Sequence, residues 1–198
     1  RQMGMLARGL PFPIIGRAAF AASASPDTTH VIVGVTFANA SLTFAREADN
    51  RFRARYSISA VLTREAAVVA SAQASSELVV ATFRETARTD ESMIHQEMVD
   101  VAPGRYTLTV TLRDEGSGRS AQESMPVVVP RYAEAGLSTP MPIAEVSPRA
   151  SLAAVPDLLL DPEGAAVAGR DSLLPVYLEA YGDTARPVRL LVRTERGT

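Results

Sequence analysis

The chain has 198 residues, a formal net charge of −2, 46% hydrophobic residues, no cysteine and no tryptophan. That length suits one large domain or two small ones. Near-neutral charge excludes a generalised nucleic-acid binder, and the lack of cysteine excludes disulfides, thiolate metal sites and thiol nucleophiles. All 20 basic residues are arginine, which together with the abundant alanine reads as coding bias rather than function. No apolar run reaches the ~18–20 residues of a membrane helix.

Residues 1–28 read as an extended N-terminal lead-in. Within it Arg8, an apolar stretch and Ala22-Ser23-Ala24 have a signal-peptide look, but Arg17, Pro11 and Pro13 interrupt the apolar part. Residues 29–130 read as a β-sandwich. Thr29 to Ala38 alternates Val31, Val33, Val35 and Phe37 on one face, and a short strand over 42–47 follows the turn at Asn39-Ala40-Ser41. Residues 51–62 set Phe52, Ala54, Tyr56, Ile58, Ala60 and Leu62 against Arg53, Arg55, Ser57 and Ser59, the pattern of a half-buried antiparallel strand. Residues 66–74, 78–87 and 92–101 continue the series, with turns expected at Ala48-Asp49-Asn50, Ser75-Ser76 and Thr89-Asp90. A hairpin then runs from Pro103-Gly104 through Tyr106, Leu108, Val110 and Leu112, turns over 115–118 and returns towards Pro130. Short strands with frequent turns and no intervening helices predict a mainly β fold, an immunoglobulin- or fibronectin-III-like antiparallel sandwich, rather than a parallel α/β sheet.

Prolines at 130, 140, 142 and 148 mark residues 131–150 as a Pro-rich linker with a first edge strand. Residues 151–198 read as the start of a second β-rich domain, incomplete at residue 198. Its elements are a turn at Asp161-Pro162-Glu163-Gly164 and strands over 172–182 and 186–195.

The search for chemistry yields no catalytic, cofactor or metal residue. His95 and Glu97 share a strand face, but a metal normally needs a third ligand. His30 precedes an apolar strand and is expected at the surface. Gly164 to Ser172 resembles a phosphate loop superficially, with Arg170 and Asp171 in place of the Lys and Ser/Thr. Asp114 and Glu115 lie in a turn that lacks the alternating acidic ligands of a calcium loop. Asn39-Ala40-Ser41 fits a glycosylation sequon, and Arg51, Arg53 and Arg55 form a stripe read as a solvated face balanced by cross-strand Glu. Pro-Gly-x-Tyr at 103–106 predicts a tyrosine corner, in which the Tyr106 hydroxyl bonds to backbone a few residues upstream.

Together the segments 25–47, 52–62, 84–92, 103–120 and 169–182 resemble the N-terminal β-rich part of bacterial GWxTD domain-containing proteins. The family's naming Gly-Trp-x-Thr-Asp element is absent from this chain. The resemblance implies an exported, periplasmic or cell-surface protein, and it carries over no functional residue. The expected function is therefore a non-catalytic module for domain packing or protein–protein interaction, with no cofactor. Its expected partner is another protein or a neighbouring domain of the same chain. The alternatives are a carbohydrate-binding sandwich, which the scarcity of aromatics disfavours, and an accessory domain of an envelope enzyme.

Overall fold

A computed structural model describes residues 12–89, 92–132, 136–164 and 173–182. In chain order its strands are β1 Ile15–Ala22, β2 Thr29–Ala38, β3 Ala45–Arg46, β4 Phe52–Arg64, β5 Ala67–Val80, β6 Ser92–Val101, β7 Gly104–Asp114 and β8 Ser120–Val129. The shorter strands β9 Gly136–Leu137, β10 Met141–Val146, β11 Leu158–Leu160, β12 Val176–Tyr177 and β13 Ala180–Tyr181 follow. One helical turn, α1 Phe83–Thr86, lies between β5 and β6.

Two antiparallel sheets face each other. The first has the order β1-β2-β6, and the second runs β3-β4-β7-β8 with β5 on the other side of β4. Lettered A, B, C, C′, E, F and G for β1, β2, β4, β5, β6, β7 and β8, this is the A-B-E and C′-C-F-G arrangement of a fibronectin-III-like sandwich. The alternation written in the sequence builds the core. Val31, Val33, Val35 and Phe37 of β2 meet Tyr56, Ile58 and Leu62 of β4 and Leu108, Val110 and Leu112 of β7. Phe37 stands edge-on to Tyr56, with ring centroids 5.1 Å apart.

The tyrosine corner is present. The Tyr106 hydroxyl donates to the Ala102 carbonyl oxygen at 2.7 Å. It also accepts from Arg64 Nη2 at 2.5 Å, and the Arg64 guanidinium lies over the Tyr106 ring. The corner thereby ties the start of β7 to the end of β4 as well as to its own approach.

Several expectations are corrected. The lead-in holds a full strand: β1 pairs with β2 from Ile15↔Thr36 to Ala22↔Thr29. Residues 66–74 and 78–87 are not two strands, because Ser75 and Ser76 lie inside the continuous β5 and pair with Ser57 and Tyr56. The predicted strand 78–87 ends at Val80, since Thr82 and Glu85 form a capping box that starts α1. The strand expected over 42–47 is reduced to Ala45–Arg46. β2 is not one-sided: every residue from Thr29 to Phe37 is buried, because a second layer covers its outer face. Nor is β10 an edge strand. It lies between β11 and β12: Met141 and Pro142 pair with β12, and Ile143 to Val146 pair with β11 across a bulge between Ile143 and Glu145. Of the strand expected over 172–182, the described residues 173–182 hold the two-residue β12 and β13, and the expected strand over 186–195 lies outside the described residues. No helix among the described residues is long and apolar enough to cross a membrane.

Candidate functional site at the outer face of the first sheet

The outer face of β1-β2-β6 carries the side chains that alternate with the sandwich core. Ala19 and Ala21 of β1 and Ile32 of β2 form a second core with Met141, Ile143, Leu158 and Leu160, and Met98 of β6 packs at its margin. Met141 and Leu160 are fully buried, each worth about 2–3 kcal/mol relative to an exposed side chain. The approach is close because Gly34 has no side chain. A Cβ there would lie 3.0 Å from Leu160 Cδ2 and 3.1 Å from Pro162 Cγ.

Polar groups clamp the margins of this second core. Gln96 of β6 donates from Nε2 to the Leu158 carbonyl at 2.7 Å and accepts the Leu160 N–H at Oε1 at 2.8 Å. A side-chain amide thus behaves like a short piece of neighbouring strand for β11. Arg17 of β1 donates from Nε to the Pro162 carbonyl at 3.0 Å.

At the far end lies a buried ionic cluster. Arg149 Nη1 meets Glu179 Oε2 at 3.0 Å, with side-chain exposures of 5% and 9%. The same guanidinium donates to the carbonyls of Ala22 at 3.0 Å, Leu152 at 2.8 Å and Ala154 at 2.7 Å. Glu179 also accepts from Tyr177 at 2.7 Å and from Tyr181 at 2.6 Å. The Tyr181 oxygen in turn receives the Ala22 N–H at 2.9 Å. Burial, reinforced by the hydrogen bond to Glu179, pushes the Tyr177 phenol up to about 12, and the same causes raise Tyr181. Both phenols therefore stay protonated and act as fixed donors. Tyr132 adds a bridge, donating to the Phe20 carbonyl at 3.0 Å and accepting the Thr139 N–H at 3.2 Å.

His30 belongs to this cluster, which corrects its expected surface position. It is 7% exposed because it lies on the same outer face of β2 as Ile32, and that face is covered. Its Nδ1 meets the Asp100 carboxylate, and Nε2 lies 3.4 Å from Arg149 Nη2. A cavity of about 280 Å³ opens beside this pair, lined also by Ser23, Thr28, Leu152 and Val155.

The other sequence candidates lie elsewhere. His95 and Glu97 are hydrogen-bonded at 2.8 Å on the inner side of β6, with the His95 ring edge-on to Tyr56. Asp114 is fully buried and organises the β7–β8 turn. It accepts from Ser117 at 2.5 Å, Thr43 at 2.6 Å and the Gly116 N–H at 3.2 Å. Burial alone would raise its pKa, but these hydrogen bonds outweigh burial and hold it below the usual value. Asn39 of the sequon is buried and donates to the Glu85 carbonyl, out of reach of a glycan in the folded chain. The arginine stripe is charge-balanced: Arg53 binds Glu47 and Glu77, and Glu77 lies opposite Arg55 across the strands. The phosphate-loop-like segment lies outside the described residues from 165 to 172. No group of three or more His, Cys, Asp or Glu is placed to hold a metal ion among the described residues.

No family model matches this sequence, and no curated protein matches it either. Among solved structures, a Bacteroides uniformis β-glucuronidase matches 63% of this chain at 11% identity and a TM-score of 0.38. A calcium-binding mutant of B. uniformis β-glucuronidase 2 matches 61% at 11% identity and 0.39. The B. uniformis β-glucuronidase 2 bound covalently to cyclophellitol-6-carboxylate aziridine matches 65% at 11% identity and 0.37. The matched part is 13–14% of each of those chains.

Proposed function

We propose that the chain is a non-catalytic β-sandwich module, and that the outer face of its first sheet is a packing platform for the β segments that follow it. The observation that carries this reading is the second core, in which Ala19, Ala21 and Ile32 are shared between the sandwich and Met141 to Leu160. Its clamps fit the same role, because Gln96, Arg17 and Arg149 spend their hydrogen bonds on backbone of the other layer rather than on an open site. Such a module suits the resemblance to exported GWxTD domain-containing proteins, and we place it in the bacterial envelope on that ground.

The test removes the grip without touching the sandwich core. The double variant Leu158→Gln, Leu160→Gln is expected to free residues 141–160 for proteolysis while the near-ultraviolet signal of Tyr56 and Tyr106 stays unchanged. Continued protection of 141–160 in that variant would overturn the reading.

The cavity beside His30 and Asp100 favours a second reading, a small polar ligand such as a sugar held at the junction. Isothermal titration with a glycan set, compared with Asp100→Asn, separates the two. Binding lost in the variant supports the ligand reading, and no heat with any glycan removes it.

A further inference from the structure

The free sheet edges of the sandwich are not treated alike. β1 has Phe20 O and Ala22 N engaged by Tyr132 and Tyr181. β8 carries Pro126, and its Glu123 takes the Gly16 N–H of β1 at 3.1 Å. β5 has a bulge at Val69, close to its start, but among the described residues it carries no proline and no side chain capping its free backbone groups. It runs for 14 residues, and among the described residues it pairs only with β4. Its sequence, AVVASAQASSELVV, has one charge, Glu77, and neither Pro nor Lys. An edge of this length, flanked by β6 but hydrogen-bonded to no second strand among the described residues, is a template for another strand. Its inward-facing Ala70, Ala72 and Ala74 are only half-buried, so the core is thinly covered there.

We propose that this edge pairs with β5 of a second copy, antiparallel about a two-fold axis near Gln73, joining the two five-stranded sheets into one. The strand is self-complementary in that register. Ser71 falls opposite Ser75 of the second copy, and Ala72 opposite Ala74. Glu77, the one charge, falls opposite Val69, so no like charges meet. Exposed apolar groups mark both ends of the strand: Val68 (64% exposed) and Val69 (47%) at the start, Phe83 (72%) just past the end. The antiparallel two-fold brings the start of one copy beside the end of the other, with Val68 falling opposite Leu78. This isologous geometry closes on a dimer and does not propagate.

Sedimentation of the full chain over a micromolar dilution series tests this. The expected result is a dimer that dissociates on dilution, with β5 amides losing hydrogen-exchange protection in step. Ser71→Lys with Ser75→Lys sets lysines opposite each other and is expected to weaken the dimer on the order of tenfold. Mixing that chain with one carrying Ser71→Glu and Ser75→Glu is expected to restore pairing. A chain that stays monomeric at all concentrations overturns the proposal, whether its β5 amides exchange freely or are covered by its own residues. So does a dimer unmoved by the charge variants, or one whose β5 amides do not respond to dilution.

Discussion

Arg149 and Glu179 form an ion pair 3.0 Å long that is sealed between two layers of the fold. Neither side chain serves the other alone. Arg149 holds the Ala22 carbonyl at the end of β1, and Glu179 holds Tyr181, which holds the Ala22 N–H. Both backbone groups of one residue at the sandwich edge are thus satisfied by the C-terminal layer.

Breaking this pair from one side leaves a buried charge. Arg149→Met is expected to destabilise by about 3–5 kcal/mol, with the loss concentrated in residues 141–182. Adding Glu179→Gln removes the stranded charge and should recover part of the loss. Thermal unfolding of both variants measures this, and a double variant no better than the single one would contradict the assignment.

Tyr106→Phe removes the hydroxyl that joins Ala102 to Arg64. The expected cost is about 1 kcal/mol from the lost hydrogen bonds. Urea unfolding gives the value, and unchanged stability would refute the corner's role.

Asp114 makes a pH-dependent contribution whose sign follows from its lowered pKa. A carboxylate held below its unfolded value of about 3.9 contributes its full stability above that value and loses it as pH falls through the lower, folded value. Asp114→Asn is expected to cost about 1–3 kcal/mol at neutral pH, and the difference from the parent chain should shrink below pH about 4. A difference that stays constant down to acid unfolding would contradict it.

The sandwich was legible in the sequence because its strands are written with period two and its turns with Gly, Pro, Asp and Asn. The alternation of β4 and β7 and the Pro-Gly-x-Tyr corner needed no partner to be seen. The second layer was harder. His30, Asp100, Arg149 and Glu179 come from four distant segments, and no spacing joins them. Two clues were nevertheless present. The run from Val31 to Val35 is apolar without interruption apart from Gly34, as a strand buried on both faces requires. Thr82-x-x-Glu85 is a capping box that should have ended β5. The length of β5 was obscured by Ser75-Ser76, a turn signal overridden by thirteen residues of pairing with β4.

The central claim is that the outer face of β1-β2-β6 is built to be covered. Gly34→Val tests it most directly. Valine is the better strand former, so the sandwich itself gains nothing adverse, while its Cβ intrudes on Leu160 and Pro162. Hydrogen exchange of this variant is predicted to show lost protection in Met141 to Leu160 and unchanged protection in β4 and β7. Equal protection of both regions in variant and parent would contradict the account.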